Sequence, residues 1–189
     1  LCEYAGAKLH LSTITTAESV KLIRDAKAKG LNVTADTSSY HLLLNDTELE
    51  SFNSNLKVNP PLRSSKDIKA LKAALKDGTI DAICSDHYPQ NIENKKCEFE
   101  LASFGMINLE TSFAAANTAL KETLSTEELI TKLTSRPKTI LGLNTEPIEE
   151  GTLADLTLFD PELKWIYQKK DIVSKSKNTS IDDKKLQGQ

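Results

Sequence analysis

The stretch Thr79–Gln90, TIDAICSDHYPQ, decides how the rest of the chain is read. An apolar run, Ile80 to Cys84, leads into Ser85, Asp86 and His87, and Pro89 stops it. A buried barrel strand has this form when it delivers a carboxylate to a site at its C-terminal mouth. Asp86 is suited to be a metal ligand, a general base, or both. A plain surface Asp-His turn is the alternative, and the flanking segments weigh against it.

Upstream, Lys8–Ser12 (KLHLS) alternates in the manner of a strand. Thr15 and Glu18 offer a capping box for a helix running to about Lys29, with Val20, Ile23 and Ala26 on one face and Gly30 as its stop. Leu31–Thr37 (LNVTADT) predicts a second strand, followed by a loop with Tyr40, His41 and three leucines. In KVNPPLR, residues 57–63, two prolines fix a rigid extended turn. Ser64 or Ser65 then caps a helix carrying Ile68, Leu71 and Leu75, ended by Gly78, and Thr79–Cys84 is the third strand. Strand, helix, strand, loop, helix, strand is the order of a parallel sheet covered by helices. Three strands cannot close a barrel, so a barrel reading makes this chain a fragment whose strand edges and apolar helix faces need covering by more chain or a second copy.

Downstream, a polar loop runs to about Ser103 and Phe104-Gly105-Met106. Asn108–Leu120 predicts an alanine-rich helix, Ser125–Glu128 caps another that ends near Arg136-Pro137, and Lys138–Leu143 adds a short helical turn. Ala154–Asp160 predicts a strand of a different packing unit, and the charged, Ser-rich tail from Lys169 predicts a loop. The expected units are 1–145 and 146–189.

Composition excludes several classes. Net charge is −3 with Lys and Arg spread among Asp and Glu, which argues against a nucleic-acid surface. No apolar run approaches the roughly 18 residues of a membrane span, and no signal peptide is visible. Cys2, Cys84 and Cys97 are odd in number and lack CxxC spacing. They suit a reducing cytoplasm and frame neither disulfides nor a structural zinc site.

Five segments in order, KLHLSTITTAESV, KVNPPLR, DGTIDAICSDHYP, FELASFGMINLE and IEEGTLADLTLFDP, resemble the C-terminal half of the dihydroorotases of the amidohydrolase superfamily. Related hydantoinases and allantoinases usually carry Ser before the paired prolines, so Asn59 favours dihydroorotase. The resemblance implies a (β/α)8 TIM barrel plus a small β-sandwich, with the three strands as barrel strands six to eight and residues 155–160 in the sandwich. It implies a cytoplasmic hydrolase of pyrimidine biosynthesis that interconverts N-carbamoyl-L-aspartate and L-dihydroorotate. One or two zinc ions would bind hydroxide, since a metal lowers the pKa of bound water to about 7. Asp86 would ligate metal and shuttle the proton. Asn59 would bind the substrate ring, and Phe104 and Gly105 would offer backbone groups to it. A homo-oligomer is expected.

His10 and His41 match family histidines that are not ligands, and are expected to be structural. His87 is expected to orient Asp86 or to pack. Arg63 and the prolines are expected to stiffen their loop, and Tyr40 and Trp165 to pack in the core. Two positions depart from the pattern. Thr13 stands where the family has a metal-ligating His, and His10, three residues away on a strand, faces the other side. A Thr hydroxyl is a poor zinc ligand. Gln90 stands where members commonly bind the substrate carboxylate through His, and it carries no charge. Two readings stay open: a working dihydroorotase with a changed site, and a non-catalytic scaffold that pairs with aspartate transcarbamoylase, in which zinc is lost.

Overall fold

The computed structural model describes residues 2–144 and 148–189. After a short helix α1 (Cys2–Ala5), strand β1 (Leu9–Leu11) leads through α2 (Ala17–Ala28) to β2 (Val33–Ser38). Helix α3 (Ser65–Asp77) leads to β3 (Ala82–Cys84). The strands lie in the order β1-β2-β3, both pairs parallel, with Leu11 opposite Ala35 and Asp36 opposite Ala82. Parallel neighbours need a crossover, and α2 and the α3 segment are those crossovers. The expected order of strands and helices is therefore what forms. Among the described residues the outer edges of β1 and β3 have no strand partner.

Local chemistry sets the helix ends. Ser64 caps α3 by accepting from Asp67 N–H, and Gly78 closes it at φ 81°. The cap of α2 is Thr16, which accepts from Ser19 N–H, and not Thr15. Thr15 is buried, and its hydroxyl instead accepts from Arg63 Nε at 3.3 Å, so the Thr15–Glu18 capping box does not form. Arg63 thereby braces the Pro60-Pro61 loop against the start of α2, the stiffening role expected of it.

Helix α4 is Ser112–Leu120, shorter than expected from Asn108 because the Asn108 side chain is committed elsewhere. A full capping box at Ser125 and Glu128 starts α5 (Thr126–Leu133). This helix stops before Arg136, and α6 (Ser135–Leu141) takes in Arg136 and Pro137. The strand expected over Ala154–Asp160 does not form; only its last residue, Asp160, pairs, exchanging backbone hydrogen bonds with Gln189. The tail expected to be a loop instead supplies a strand: β4 (Lys164–Ile166) pairs antiparallel with β5 (Lys185–Gln187). Gln187 N–H donates to Thr118 Oγ1 of α4, and the Trp165 indole donates to the Gly188 carbonyl. The expected boundary at 145–146 lies outside the described residues.

Two apolar clusters hold these layers. Val20, Leu71, Leu75, Ile80, Ile83 and Leu120 fill the space between sheet and helices. Tyr40, Val58, Leu62, Met106, Ile181 and Leu186 join the loops above the strands to the β4–β5 sheet. Truncating one such buried leucine to alanine costs about 2–5 kcal/mol. Below the sheet, Asp81, 2% exposed, accepts from Lys27 Nζ at 2.6 Å, Arg136 at 2.9 Å and the Ala35 N–H at 2.9 Å. This carboxylate ties α2, α6 and β2 to the start of β3.

Candidate active site

Three residues share one position in the repeating unit. Thr13, Tyr40 and Asp86 each lie two residues past the end of their strand, at Leu11, Ser38 and Cys84. Parallel strands place all three on one rim of the sheet, the rim where α/β folds bind their ligands. Thr13 and Asp86 both have left-handed backbones, φ 56° and 47°, so the chain turns sharply as it leaves each strand.

Asp86 is half-buried, and Tyr40 Oη donates to its Oδ2. Burial, and then the hydrogen bond to Asp86, pushes the Tyr40 phenol well above its ordinary range. The phenol stays protonated and remains a donor. Tyr40 is 1% exposed and packs in the core as expected, but its hydroxyl reaches the rim.

The next residue holds the opposite loop. His41 is buried, with Nε2 at 3.0 Å from the Pro60 carbonyl and Nδ1 at 2.7 Å from the Ser38 hydroxyl. A carbonyl only accepts, so Nε2 carries the proton and Nδ1 accepts from Ser38. Burial lowers its pKa to about 4, so this imidazole is neutral. Its structural role is that of a tether for the Asn59-Pro60-Pro61 turn. Asn59 is exposed, and its side chain makes no hydrogen bond among the described residues.

The Phe104-Gly105 segment closes another side. Phe104 is half-exposed, with Lys57 Nζ 5.0 Å from its ring centroid. Its carbonyl accepts from Gln90 Nε2 at 2.9 Å. The Gly105 N–H donates to the Lys57 carbonyl, and its own carbonyl accepts from Asn178 Nδ2. Gly105 has φ 124°, and a Cβ there would come within 2.4 Å of Tyr88 Cδ1. The close approach that needs glycine is thus to Tyr88. Gln90, which the family resemblance assigns to substrate through a His, here clasps Phe104.

The remaining histidines sort by their partners. His10 Nε2 lies 2.9 Å from Asp36 Oδ2 and Nδ1 lies 2.8 Å from the Thr34 hydroxyl, so it is satisfied on its strand as expected. Asp36 also accepts from Ser12 Oγ, the Thr13 N–H at 2.7 Å and Cys84 Sγ. Burial, then the Asp36 charge, pushes the Cys84 thiol up, so it is no ready nucleophile. His87 Nδ1 accepts from the N–H groups of Asn108 and Leu109 at 3.1 and 3.0 Å; it packs against the α4 approach and does not orient Asp86. Asn108, 1% exposed, donates to Ser39 Oγ and to the carbonyl of Ser85 beside Asp86.

Sequence reasoning did not foresee the roles of Tyr40, Asp36, Asn108 and Asn178. A polar residue just past a strand end was the available signal for Tyr40. Among the described residues, no group of three or more His, Cys, Asp and Glu side chains is placed to hold a metal ion. Thr13 adds no charged donor, and His10, Asp36 and Cys84 are engaged with one another. The described residues do not fit a zinc site on their own; Asp86 is the candidate ligand they contribute.

A family profile described as the Amidohydrolase family matches residues 2–188. A dihydroorotase of Ruminiclostridium cellulolyticum is 44% identical over all of this chain and 45% of its own length. A dihydroorotase of Elusimicrobium minutum is 43% identical over all of this chain and 44% of its own. The L-hydantoinase (dihydropyrimidinase) of Arthrobacter aurescens superposes over 98% of this chain and 43% of its own, with a TM-score of 0.90 at 26% identity. The chain spans less than half the length of these relatives. Its three parallel strands are the C-terminal part of a TIM barrel. With the profile covering nearly every residue and the strand-end site where that fold carries its chemistry, this chain belongs to the amidohydrolase family.

Proposed function

We propose that the protein to which this chain contributes is a dihydroorotase, interconverting N-carbamoyl-L-aspartate and L-dihydroorotate in the cytoplasmic synthesis of pyrimidines. The observation that carries this is Asp86 at the strand-end rim, fixed by Tyr40, with the next residue, His41, holding the turn that carries the exposed Asn59. The dihydroorotase relatives at 43–44% identity support the substrate. In ring opening, water adds to the ring amide carbonyl and the C–N bond breaks. Asp86 takes the proton from the water and returns it to the departing ring nitrogen; ring closure reverses this. The Tyr40 hydroxyl holds the Asp86 carboxylate in one orientation for both transfers. Asn59, with one donor and one acceptor group free, suits the ureide edge of the ring. Phe104 lends an apolar face, and its N–H makes no hydrogen bond among the described residues. Zinc, which in this family would polarise the carbonyl, needs ligands beyond the described residues.

A second reading is favoured by a specific pair of observations. Thr13 occupies the rim position of a ligand, and Gln90 is spent on the Phe104 carbonyl. These suit a non-catalytic scaffold paired with aspartate transcarbamoylase or with its own copies. Metal content of the full-length protein, measured with a dihydroorotate ring-opening assay, separates the two. Bound zinc with turnover establishes the enzyme. Neither zinc nor turnover, together with a stable transcarbamoylase complex, establishes the scaffold.

A further inference from the structure

A cavity lies away from Asp86, which does not line it. It has a volume of about 1010 Å³ and opens beside the Gln90–Glu98 loop. Five lysines line it, Lys95, Lys96, Lys169, Lys175 and Lys177, against two carboxylates, Glu93 and Glu98. In a chain whose net charge is −3, this is a local excess of positive charge.

The lysines are not alike. Lys95 is 5% exposed, and its ammonium donates to the carbonyls of Ser54, Lys57 and Ser103 at 2.8, 3.3 and 2.8 Å. All three N–H groups are satisfied, yet no carboxylate balances the charge. Buried charges are ordinarily paired. Burial, and then the neighbouring Lys57, lowers its pKa to about 8. Lys177 donates to the Ile172 carbonyl, and Lys169 pairs with Asp182 at 3.4 Å. The side-chain ammonium groups of Lys96 and Lys175 have no hydrogen-bond or ion-pair partner among the described residues. The cavity thus combines an unbalanced buried cation in its wall with two uncommitted ammonium groups at its surface.

We propose that this cavity is a binding site for a small polyanion of the charge type of pyrophosphate, held by Lys96 and Lys175 in the field of Lys95. A doubly charged anion offers each free ammonium a charge-assisted hydrogen bond and supplies the counter-charge that Lys95 lacks. The site is independent of the reaction proposed for Asp86. It shares one wall with that site: Asn178 lines the cavity, accepts from the Gln90 N–H, and donates to the carbonyls of Tyr88 and Gly105.

The test is calorimetric titration of inorganic pyrophosphate into the full-length protein, wild type and Lys96→Ala/Lys175→Ala, at two salt concentrations. Both side chains are free of structural bonds, so the variant is expected to melt as the wild type does. The expected result is binding that weakens with salt and drops about tenfold or more in the variant. Binding unchanged in the variant, or abolished by a metal chelator in the wild type, would place pyrophosphate elsewhere and overturn the proposal. So would no binding at all.

Discussion

The hydroxyl of Tyr40 donates to the carboxylate of Asp86, joining the ends of two neighbouring parallel strands across the rim of the sheet. The same short turn carries His41, which holds the Pro60 carbonyl. One turn after β2 therefore positions both the carboxylate and the loop that presents Asn59.

Tyr40→Phe removes the donor and keeps the ring in the core. Asp86 is only half-buried, so folding stability should fall by only about 1 kcal/mol in urea titration. Turnover of dihydroorotate by the full-length protein should drop about 10–100-fold, the usual cost of losing a partner that orients a catalytic ligand. An unchanged rate would show that the bond does not position Asp86.

His41 gives the fold an acid sensitivity. Its folded pKa, about 4, lies below the ordinary imidazole value of about 6.5. The unfolded chain takes up a proton between these values and the native chain does not. Its contribution is therefore full above about pH 6.5 and is lost as pH falls toward 4, by roughly 3 kcal/mol in all. Urea unfolding at a series of pH values should show this slope, and His41→Leu should flatten it while lowering stability at pH 7.

Asp81→Ala should destabilise the fold by about 3 kcal/mol. It strands Lys27 and Arg136 and leaves the Ala35 N–H, which is fully buried, without its carboxylate partner. Burial opposes the ionised form, but Lys27, the Ala35 N–H and Arg136 together hold the carboxyl below its ordinary range. Its contribution is thus full above about pH 4 and disappears as pH falls through the lowered folded value. Thermal melts of wild type and variant should converge in strong acid.

Thr13→His with Gln90→His should raise zinc content and turnover. The backbone at residue 13 is left-handed, where a β-branched Thr is strained and His is better tolerated. Metal analysis of the full-length protein checks the first substitution. The substrate KM checks the second, which also frees the Phe104 carbonyl from Gln90. No gain in either would mean that the site has decayed at other positions.

Much of the frame could be read without coordinates. The period of the apolar residues, Ser64 and Gly78 around α3, the Ser125–Glu128 box and the run ahead of Asp86 are local signals, and local hydrogen bonding honours them. The spacing to Glu18 favours Thr15 over Thr16 as the cap at that level. Arg63, 48 residues away, decided between them by engaging Thr15. The strand expected over Ala154–Asp160 failed for a related reason: alternation marks a segment able to pair, and pairing needs a partner edge. Lys164–Ile166 and Lys185–Gln187 found each other instead, over α4.

The sequence by itself determined the order of strands and helices, the placement of Asp86 past a strand end, and the two departures at Thr13 and Gln90. The first two follow from residue type and short-range spacing, and the departures follow from the resemblance to the dihydroorotase pattern. Only the tertiary structure decided which side chains share that rim. The Tyr40–Asp86, Asn108–Ser85 and Asn178–Gly105 bonds join residues 46, 23 and 73 positions apart. No local pattern encodes such pairs: the first arises from the parallel register that brings separate strand ends to one edge, and the other two from loop segments packed against one another.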